Sequence, residues 1–393
     1  MLTPPQGYWE AMQNRGRIHF KMEFDNGVVL TDRDIDVSTG VTITDAFNSD
    51  SDLKMGKVVS KQLSTRIILS DRTSSINWSN PFKMYFGVED ANHDTLWVYY
   101  GTFTGKRPKN VSTTSAIDFI AYDKMIVFDQ TADEWLDGIT YPITVSGMLT
   151  SIGTELGITI QAVDQLSNAY NRSFGMSRFK KDTYTFREIL EDISEALGCY
   201  ARICPSEESG GDYVHLVWFN DDIAEYRGTV TRNQQFYEEH ADFYAGMTWD
   251  EFDALTLAEQ EALTWDEASG YYIERNRFDG VFVAKIDVGT NAKYPSRVKG
   301  HLYNIKDNPI MYISSSNKAT HVTNYVVPIY NRIIGFGGVL PLTIECVGDL
   351  VTEAGDIIQV ELPEGTIMSP IYYKTMHWNG TVTDRYETTA PET

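Results

Sequence analysis

Cysteine is scarce in this sequence, and that scarcity excludes a disulfide-bonded scaffold. The chain of 393 residues has three cysteines, Cys199, Cys204 and Cys346. An odd and low count cannot supply the paired bridges that hold small secreted domains together. We therefore expect these residues to be free thiols in or near a core.

Long apolar runs are missing as well. No stretch approaches the roughly 18 consecutive apolar residues that a membrane-spanning helix requires. The first residues, MLTPPQGYWEAMQ, lack the apolar segment of a secretory signal peptide. We therefore expect a protein that is synthesised and folded in a reducing cytoplasm and that does not insert into membranes.

Positive charge is in short supply. The chain has 33 lysine and arginine residues against 55 aspartate and glutamate residues, which gives a formal net charge of −22. A field of that sign repels the phosphates of nucleic acids and of anionic lipids, so we expect no direct nucleic-acid binding. The acidic residues are unevenly distributed, because residues 238–274 contain eleven of them and no lysine or arginine.

Recognisable catalytic and metal-binding motifs are absent too. None of the seven histidines forms an HExxH motif, and neither a Gly-x-Ser-x-Gly elbow nor a phosphate-binding Walker loop occurs. Asp32, Asp34 and Asp36 alternate along a predicted strand, which favours a solvated strand face or a turn over a cation site. The sequence therefore predicts neither an enzyme nor a bound metal or cofactor.

What the chain does contain is ample material for β structure. Hydrophobic residues make up 42% of the chain and aromatic residues 12%, which suffices for buried cores. Between residue 18 and about residue 127, runs such as IHFKMEF, RIILS and AIDFIAYDKMIVF alternate imperfectly and are interrupted by turns rich in Asn, Asp and Gly. Strands at this spacing predict a barrel or a sandwich.

Two helix–glycine–strand units occupy the middle of the chain. In the first, apolar residues recur at helical spacing over residues 145–156, and Gly157 ends the pattern. In the second, Thr185 and Glu188 form a capping box at the start of an apolar stripe that stops at Gly198. Each helix is followed by a strand-like run, so this region predicts a small α+β domain.

Residues 247–270 contain a repeat with a period of eight, MTWDEFDA, LTLAEQEA and LTWDEASG. Each unit carries the Thr-x-x-Glu spacing of a capping box, which predicts a series of short helices inserted between β regions. A single amphipathic helix is the alternative. The aromatic residues Trp249, Phe252 and Trp265 either pack together as a small core or form a docking surface for a partner protein.

These patterns divide the chain into four parts. We predict a β-rich domain over residues 1–139, a small α+β domain over 140–236, an acidic helical insertion over 237–274 and a second β-rich region over 275–393. The predicted fold class is α+β, with mostly β structure.

One segment, TYTFREILEDISEALGCYARI, resembles a segment common in tail proteins of phages and prophages of Gram-positive bacteria. In that family a threonine-capped helix of the form R-x-x-L-x-x-I-A-x-x-x-G runs into a strand x-A-R-I. Five other stretches resemble further parts of the family in the same order: YFGVEDANHDTLWVYYGTFTG, AIDFIAYDKMIVFDQ, ITYPITVSGMLTSIGTELGI, DNPIMYI and GDLVTEAGDIIQVE. The resemblance covers nearly the whole chain, and it is to the baseplate hub family, also called the N-terminal module of tail-associated proteins.

The resemblance implies an architecture and a set of partners. It implies two tail-tube-like β-barrel domains together with smaller α+β domains, and a homotrimer in the virion at the distal end of the tail tube. The implied partners are the tail tube or distal tail protein, a spike or fibre, and the tape-measure protein. Such a hub joins a hexameric tube ring to a threefold spike, and it closes or opens the tube during host attachment and genome ejection.

The alternative is a carbohydrate-binding or carbohydrate-cleaving β-rich protein of the tail tip. The 23 tyrosines and eight tryptophans offer flat platforms for sugar rings. The abundant carboxylates offer the pair of acids that a glycosidase needs. A trimer without affinity for glycans favours the hub, whereas a monomer with such affinity favours the alternative.

Overall fold

The computed structural model describes most of the first half of the chain and part of the second. The described residues are 2, 4–47, 56–106, 108–110, 115–162, 173–174, 183–208, 211–217, 226–231, 283–287, 303–306, 308, 310, 343–362 and 365–387. In these residues the chain is mostly β, as the sequence predicts.

The strands are numbered along the chain. The first eleven are β1 (Ile18–Phe24), β2 (Val29–Thr31), β3 (Val41–Ala46), β4 (Gln62–Ile68), β5 (Pro81–Glu89), β6 (Thr95–Gly105), β7 (Lys109–Asn110), β8 (Ala116–Asp123), β9 (Ile143–Thr144), β10 (Ile160–Ala162) and β11 (Ser173–Phe174). The others are β12 (Tyr200–Cys204), β13 (Tyr213–Val217), β14 (Tyr226–Thr231), β15 (Val283–Asp287), β16 (Tyr303–Lys306), β17 (Thr343–Val347), β18 (Ile357–Leu362), β19 (Gly365–Pro370), β20 (Tyr373–Trp378) and β21 (Val382–Glu387).

The helices in the described residues are short. The α-helices are α1 (Tyr8–Gln13), α2 (Asp133–Gly138), α3 (Val145–Leu156) and α4 (Phe186–Leu197). Short 3-10 helices span Asp32–Asp34, Asp71–Ser75 and Lys124–Asp129.

The main sheet joins strands from both ends of the chain. It has 11 strands, in the order β17, β21, β20, β3, β4, β8, β6, β5, β1 and β2, with β7 beside β8. Every pairing in it is antiparallel. Because β3 pairs with β20, Val41 lies opposite Trp378, and the first and last β-rich segments share one sheet.

Alternation of side chains gives this sheet one buried face. In β1, Phe20 and Met22 are fully buried, whereas the residues between them are partly exposed. In β20, Met376 and Trp378 are buried on the same principle. The indole Nε1 of Trp378 donates to the carbonyl of Ile18 over 3.2 Å, so the sheet curls until β20 contacts β1 around a shared core.

The two tail-tube-like barrels that the resemblance implies are not confirmed. The end strands β2 and β17 do not pair with each other, so the described strands do not close a barrel. β3 and β20 pair, so described strands of both β-rich segments belong to one curled sheet. The predicted domain boundaries stay predictions, and the predicted insertion over 237–274 lies outside the described residues.

A second core lies in the middle of the chain, and we call its elements α3, α4, β10, β12 and β13 the α+β unit. Its sheet has the order β10, β13, β12, with β10 parallel to β13. α4 buries Ile189 and Leu190 in this core. The predicted capping box is present, because Thr185 Oγ1 accepts from the amide of Glu188 at 3.2 Å. Gly198 ends α4 with φ at 66°, where glycine meets no steric penalty.

The remaining described strands form small sheets. β9 pairs with β11, β15 with β16, and β18 lies between β14 and β19. Among the described residues, no helix has both the length and the apolar character needed to cross a bilayer.

Candidate functional site

The three aromatic residues predicted as a docking surface are Trp249, Phe252 and Trp265. All three lie outside the described residues, as does the whole repeat over 247–270. Both interpretations of these side chains, a small core and a docking surface, therefore stay predictions.

The aspartates expected to share a strand face do not do so. Asp32 and Asp34 lie in a 3-10 helix, and each carboxylate accepts hydrogen bonds from nearby groups. Asp32 accepts from the amide of Phe20 at 2.8 Å, and Asp34 accepts from the amide of Thr31 at 2.9 Å. The strand prediction was wrong and the alternative of a turn holds, because carboxylates that cap backbone amides favour a turn over an extended strand. Among the residues that the structure describes, no group of His, Cys, Asp and Glu side chains is arranged to hold a metal ion.

The most unusual site in the described structure is a cluster of buried charges, which we call the ionic junction. It lies where segment 349–356 packs between the main sheet and the α+β unit. Its members come from β3, β8, β20, β21, segment 349–356 and the residue before β4: Asp45, Lys61, Asp123, Glu353, Lys374 and Asp384.

Lys61 is the centre of one half of the junction. Its Nζ lies 2.9 Å from Glu353 Oε1 and 3.4 Å from Asp45 Oδ2. Burial alone would lower the pKa of Lys61, but the two carboxylates outweigh burial and raise that pKa well above its ordinary value. Burial would likewise raise the pKa of Glu353, whereas the charge of Lys61 holds it well below the usual range.

Lys374 is the centre of the other half. Its Nζ lies 3.0 Å from Asp384 Oδ2 and donates to the carbonyl of Thr352 at 2.7 Å. The same carboxylate oxygen of Asp384 accepts from the hydroxyl of Tyr386 at 2.8 Å. Burial opposes the charge on Lys374, and Asp384 more than offsets it, so the pKa of Lys374 is raised.

A cavity of about 10 Å³ separates the two halves. Both lysines line it, together with Asp45, Tyr100 and Glu353. This volume is at the lower limit for a single water molecule and is too small for a substrate or a cofactor. The arrangement therefore suits the joining of chain segments.

Segment 349–356 also contacts the α+β unit. The guanidinium of Arg202 donates from NH1 to the carbonyl of Ala354 at 3.3 Å and lies 3.8 Å from Asp356. Gly355, with φ at 92°, packs directly on the ring of Tyr200, where a Cβ atom would lie 2.2 Å from the hydroxyl. Only glycine fits this left-handed, crowded position.

Arg187 makes a second connection, which we call the arginine clasp. From the first turn of α4 its NH1 donates to the carbonyl of Val58 at 2.7 Å. Its NH2 donates to Ser60 Oγ at 2.8 Å and to the carbonyl of Met125 at 3.0 Å, and its Nε lies 2.5 Å from Asp129 Oδ1. One side chain thus ties α4 to the residues before β4 and to the 3-10 helix Lys124–Asp129.

One tryptophan that could serve as a flat platform for a sugar ring lies on the main sheet. Trp97 lies over Gly87, where a Cβ atom would be 2.8 Å from the indole. Lys21 Nζ lies 4.6 Å from the same ring and 4.2 Å from the ring of Tyr85. Protein groups therefore already contact this tryptophan on the sheet.

The sequence analysis did not identify the ionic junction or the arginine clasp. For Lys374 the local sequence does indicate burial, because the alternation in YKTMHW places this lysine on the same face as the buried Met376 and Trp378. Arg187 is the arginine of the helix segment quoted above, but the sequence gives no indication of its four acceptors. Lys61 and Glu353 are 292 positions apart, and nothing local links them.

Comparison with solved structures finds tail proteins among the similar chains. The 43 kDa tail protein of prophage MuSo2 from Shewanella oneidensis aligns over 95% of this chain and 98% of its own, with 12% identity and a TM-score of 0.48. Prophage tail protein gp18 from Listeria monocytogenes EGD-e aligns over 96% of this chain and 95% of its own, with 11% identity and a TM-score of 0.46.

A third similar structure is the E. coli c3393 protein, described as a component of the type VI secretion system with structural similarity to the T4 tail proteins gp27 and gp5. It aligns over 90% of this chain and 73% of its own, with 8% identity and a TM-score of 0.36. Neither family models nor curated protein sequences match the chain. At these identities and TM-scores, the function of the chain has to be argued from its own residues.

Proposed function

We propose that this chain is a structural hub in the tail tip of a phage or a phage-like particle, and that it is not an enzyme. Three copies join the hexameric tail tube, or the distal tail ring, to a threefold spike or fibre, and they contact the tape-measure protein. The trimer closes or opens the end of the tube.

The observation that carries this proposal is where the stretches that resemble the hub family lie in the fold. YFGVEDANHDTLWVYYGTFTG forms the hairpin of β5 and β6, and AIDFIAYDKMIVFDQ forms β8 with the 3-10 helix that follows. TYTFREILEDISEALGCYARI contains α4 and β12, and GDLVTEAGDIIQVE contains segment 349–356. The resemblance therefore concerns the elements that build both cores, which suits a structural role.

The contacts between the two cores support the same role. A hub that stands between a tube and a spike has to keep the parts of each subunit in fixed positions. The ionic junction provides that connection through buried, charge-assisted hydrogen bonds, which are stronger than neutral ones. The arginine clasp in turn fixes α4 to the chain segments that precede β4 and follow β8.

The symmetry of the assembled tail tip tests the proposal. We expect electron cryomicroscopy of intact particles to place three copies of this chain around a threefold axis at the distal end of the tube. Light scattering of the purified chain at high concentration is the accompanying measurement in solution. A twofold or sixfold arrangement of the chain, or its absence from the tail tip, would contradict the hub.

The acidic repeat offers a separate prediction about a partner. We propose that residues 247–270 form a helical insertion whose residues Trp249, Phe252 and Trp265 dock onto a neighbouring tail-tip protein. Replacing all three with alanine is expected to leave the melting transition of the subunit unchanged. Binding to the neighbour should weaken by at least about thirtyfold, because even one aromatic hot spot contributes roughly 2 kcal/mol or more.

The matched control for that prediction is deletion of residues 247–270 with a short Gly-Ser bridge. It should also leave a cooperative melt and should weaken binding at least as much as the triple substitution. A loss of the cooperative melt in either variant would show instead that the aromatic side chains form a core on which the fold depends.

A further inference from the structure

Asp123 is the carboxylate of the ionic junction that lacks a cation of its own. Lys61 contacts Glu353 and Asp45, and Lys374 contacts Asp384. Among the described residues, no lysine or arginine nitrogen lies within ion-pair distance of the Asp123 carboxylate. Asp123 is 5% exposed, and its Oδ1 accepts from the amide of Met125 at 3.1 Å. Burial of a carboxylate without an ion pair favours its protonated form.

The position of Asp123 links the main sheet to the α+β unit. It is the last residue of β8, and it caps the 3-10 helix Lys124–Asp129. That helix supplies two of the four acceptors of the arginine clasp, the carbonyl of Met125 and the carboxylate of Asp129. A change at Asp123 therefore acts directly on the groups that hold α4 in place through Arg187.

The charges around Asp123 determine how it responds to pH. Burial raises its pKa to about 7, and the negative charge of Asp45 adds to that effect, while Lys61 opposes both. Glu353 shares Lys61 with Asp45, so that lysine is already matched by two carboxylates. Ionised Asp123 would be a third carboxylate beside one lysine.

We propose that residues 123–129 are a proton-controlled hinge between the main sheet and the α+β unit. With a proton on Asp123, the 3-10 helix stays in place and the arginine clasp is closed. When the proton leaves to solvent, the buried negative charge beside Asp45 displaces the end of β8 and the 3-10 helix. The carbonyl of Met125 then moves away from Arg187, and α4 is held less firmly against the 3-10 helix. This proposal does not depend on the function proposed above.

The direction of the effect follows from the pKa of Asp123 in the two states. The closed form binds the proton up to about pH 7, whereas an open, solvated Asp123 loses it near 3.8, the ordinary pKa of an aspartate side chain. The opening constant therefore rises with pH between those values, by up to about tenfold per pH unit, and levels off above pH 7.

His215 titrates in the same pH range as Asp123, but it affects the stability of the chain in the opposite direction. Burial, aided by the charge of Arg202, lowers the pKa of His215 to about 4. Its contribution to stability is therefore present above about pH 6.5 and is lost as the pH falls. Burial also raises the pKa of Glu191 in α4. A melting temperature of the whole chain combines these effects, so the hinge has to be measured locally.

Hydrogen exchange on the purified chain is the test. Amide exchange in the 3-10 helix Lys124–Asp129 and in α4 is compared with that in β1 and β5 at pH 5.5 and pH 8. In the natural chain we expect the opening of the 3-10 helix and of α4 to increase on the order of tenfold from pH 5.5 to pH 8, relative to the opening of β1 and β5. In Asp123→Asn, which keeps the acceptor for the amide of Met125 and cannot ionise, the increase should vanish. The control Asp25→Asn, in the exposed turn after β1, should keep it.

Two results would overturn the hinge, namely an increase that persists in Asp123→Asn and the absence of an increase in the natural chain. If Asp123→Asn does not fold, an infrared titration of the natural chain decides. The carbonyl stretch of a protonated carboxyl group should be present at pH 6.5, where ordinary carboxyl groups are almost fully ionised, and lost by pH 8. A spectrum without such a band refutes the proposal. Neither measurement involves the tail tip, so failure here is distinct from failure of the hub function.

Discussion

Replacing Lys61 with methionine is expected to lower the free energy of unfolding by about 3–5 kcal/mol, the usual effect of removing one partner from a buried ion pair. The Lys61 side chain is 7% exposed and contacts the carboxylates of Glu353 and Asp45. Methionine fills a similar volume but removes the ammonium group that contacts both carboxylates. Denaturant unfolding at pH 7, followed by circular dichroism, measures the change.

Lys83→Met is the matched control for this change. Lys83 is an exposed residue of β5 whose Nζ lies 5.9 Å from the ring of Tyr99. Its replacement is expected to change the free energy of unfolding by less than about 1 kcal/mol. If Lys61→Met is no more destabilising than this control, Lys61 does not hold segment 349–356 against the sheet.

Replacing Arg187 with lysine is expected to lower the free energy of unfolding by about 2–4 kcal/mol, because hydrogen bonds to charged groups contribute roughly 1.5–3 kcal/mol each. The ammonium group keeps the charge, but it cannot reproduce the fixed fork that contacts Val58, Ser60 and Met125 together. Hydrogen exchange of α4 should increase more than that of β1, since the clasp holds this helix.

The matched control is Arg66→Lys on the outer face of β4. Arg66 Nε lies 2.8 Å from Asp118 Oδ1, and both side chains are partly exposed. A surface pair of this kind contributes roughly 0–1 kcal/mol, so little change is expected. Equal effects of the two substitutions would mean that the geometry of the Arg187 guanidinium does not contribute to stability.

If both predictions hold, the middle of the chain and the main sheet behave as one body joined at two places. Relative motion between them would then require the release of buried charges or of the arginine clasp. In a tail-tip hub, opening of the tube would more easily involve movement between subunits or a change at residues 123–129. The proposed loss of the Asp123 proton would act on the arginine clasp through the carbonyl of Met125.

The sequence by itself determined the local elements. The helix α4 begins at the predicted capping box of Thr185 and Glu188 and ends at Gly198, because caps and the glycine stop act within a few residues. The alternation in IHFKMEF likewise placed Phe20 and Met22 on one face of a strand. Short-range sequence patterns were enough to predict the ends of α4 and the buried face of β1, since both features depend only on groups within the same element.

Only the tertiary structure decided how the elements are joined. The pairing of β3 with β20 combined the predicted first and last β regions in one sheet, and alternation in a strand carries no information about its partner. The same limit applies to the ionic junction, where Lys61 and Glu353 meet across 292 positions. A buried charge is tolerated only beside an opposite one, and which distant residue supplies that charge depends on the folding of the whole chain.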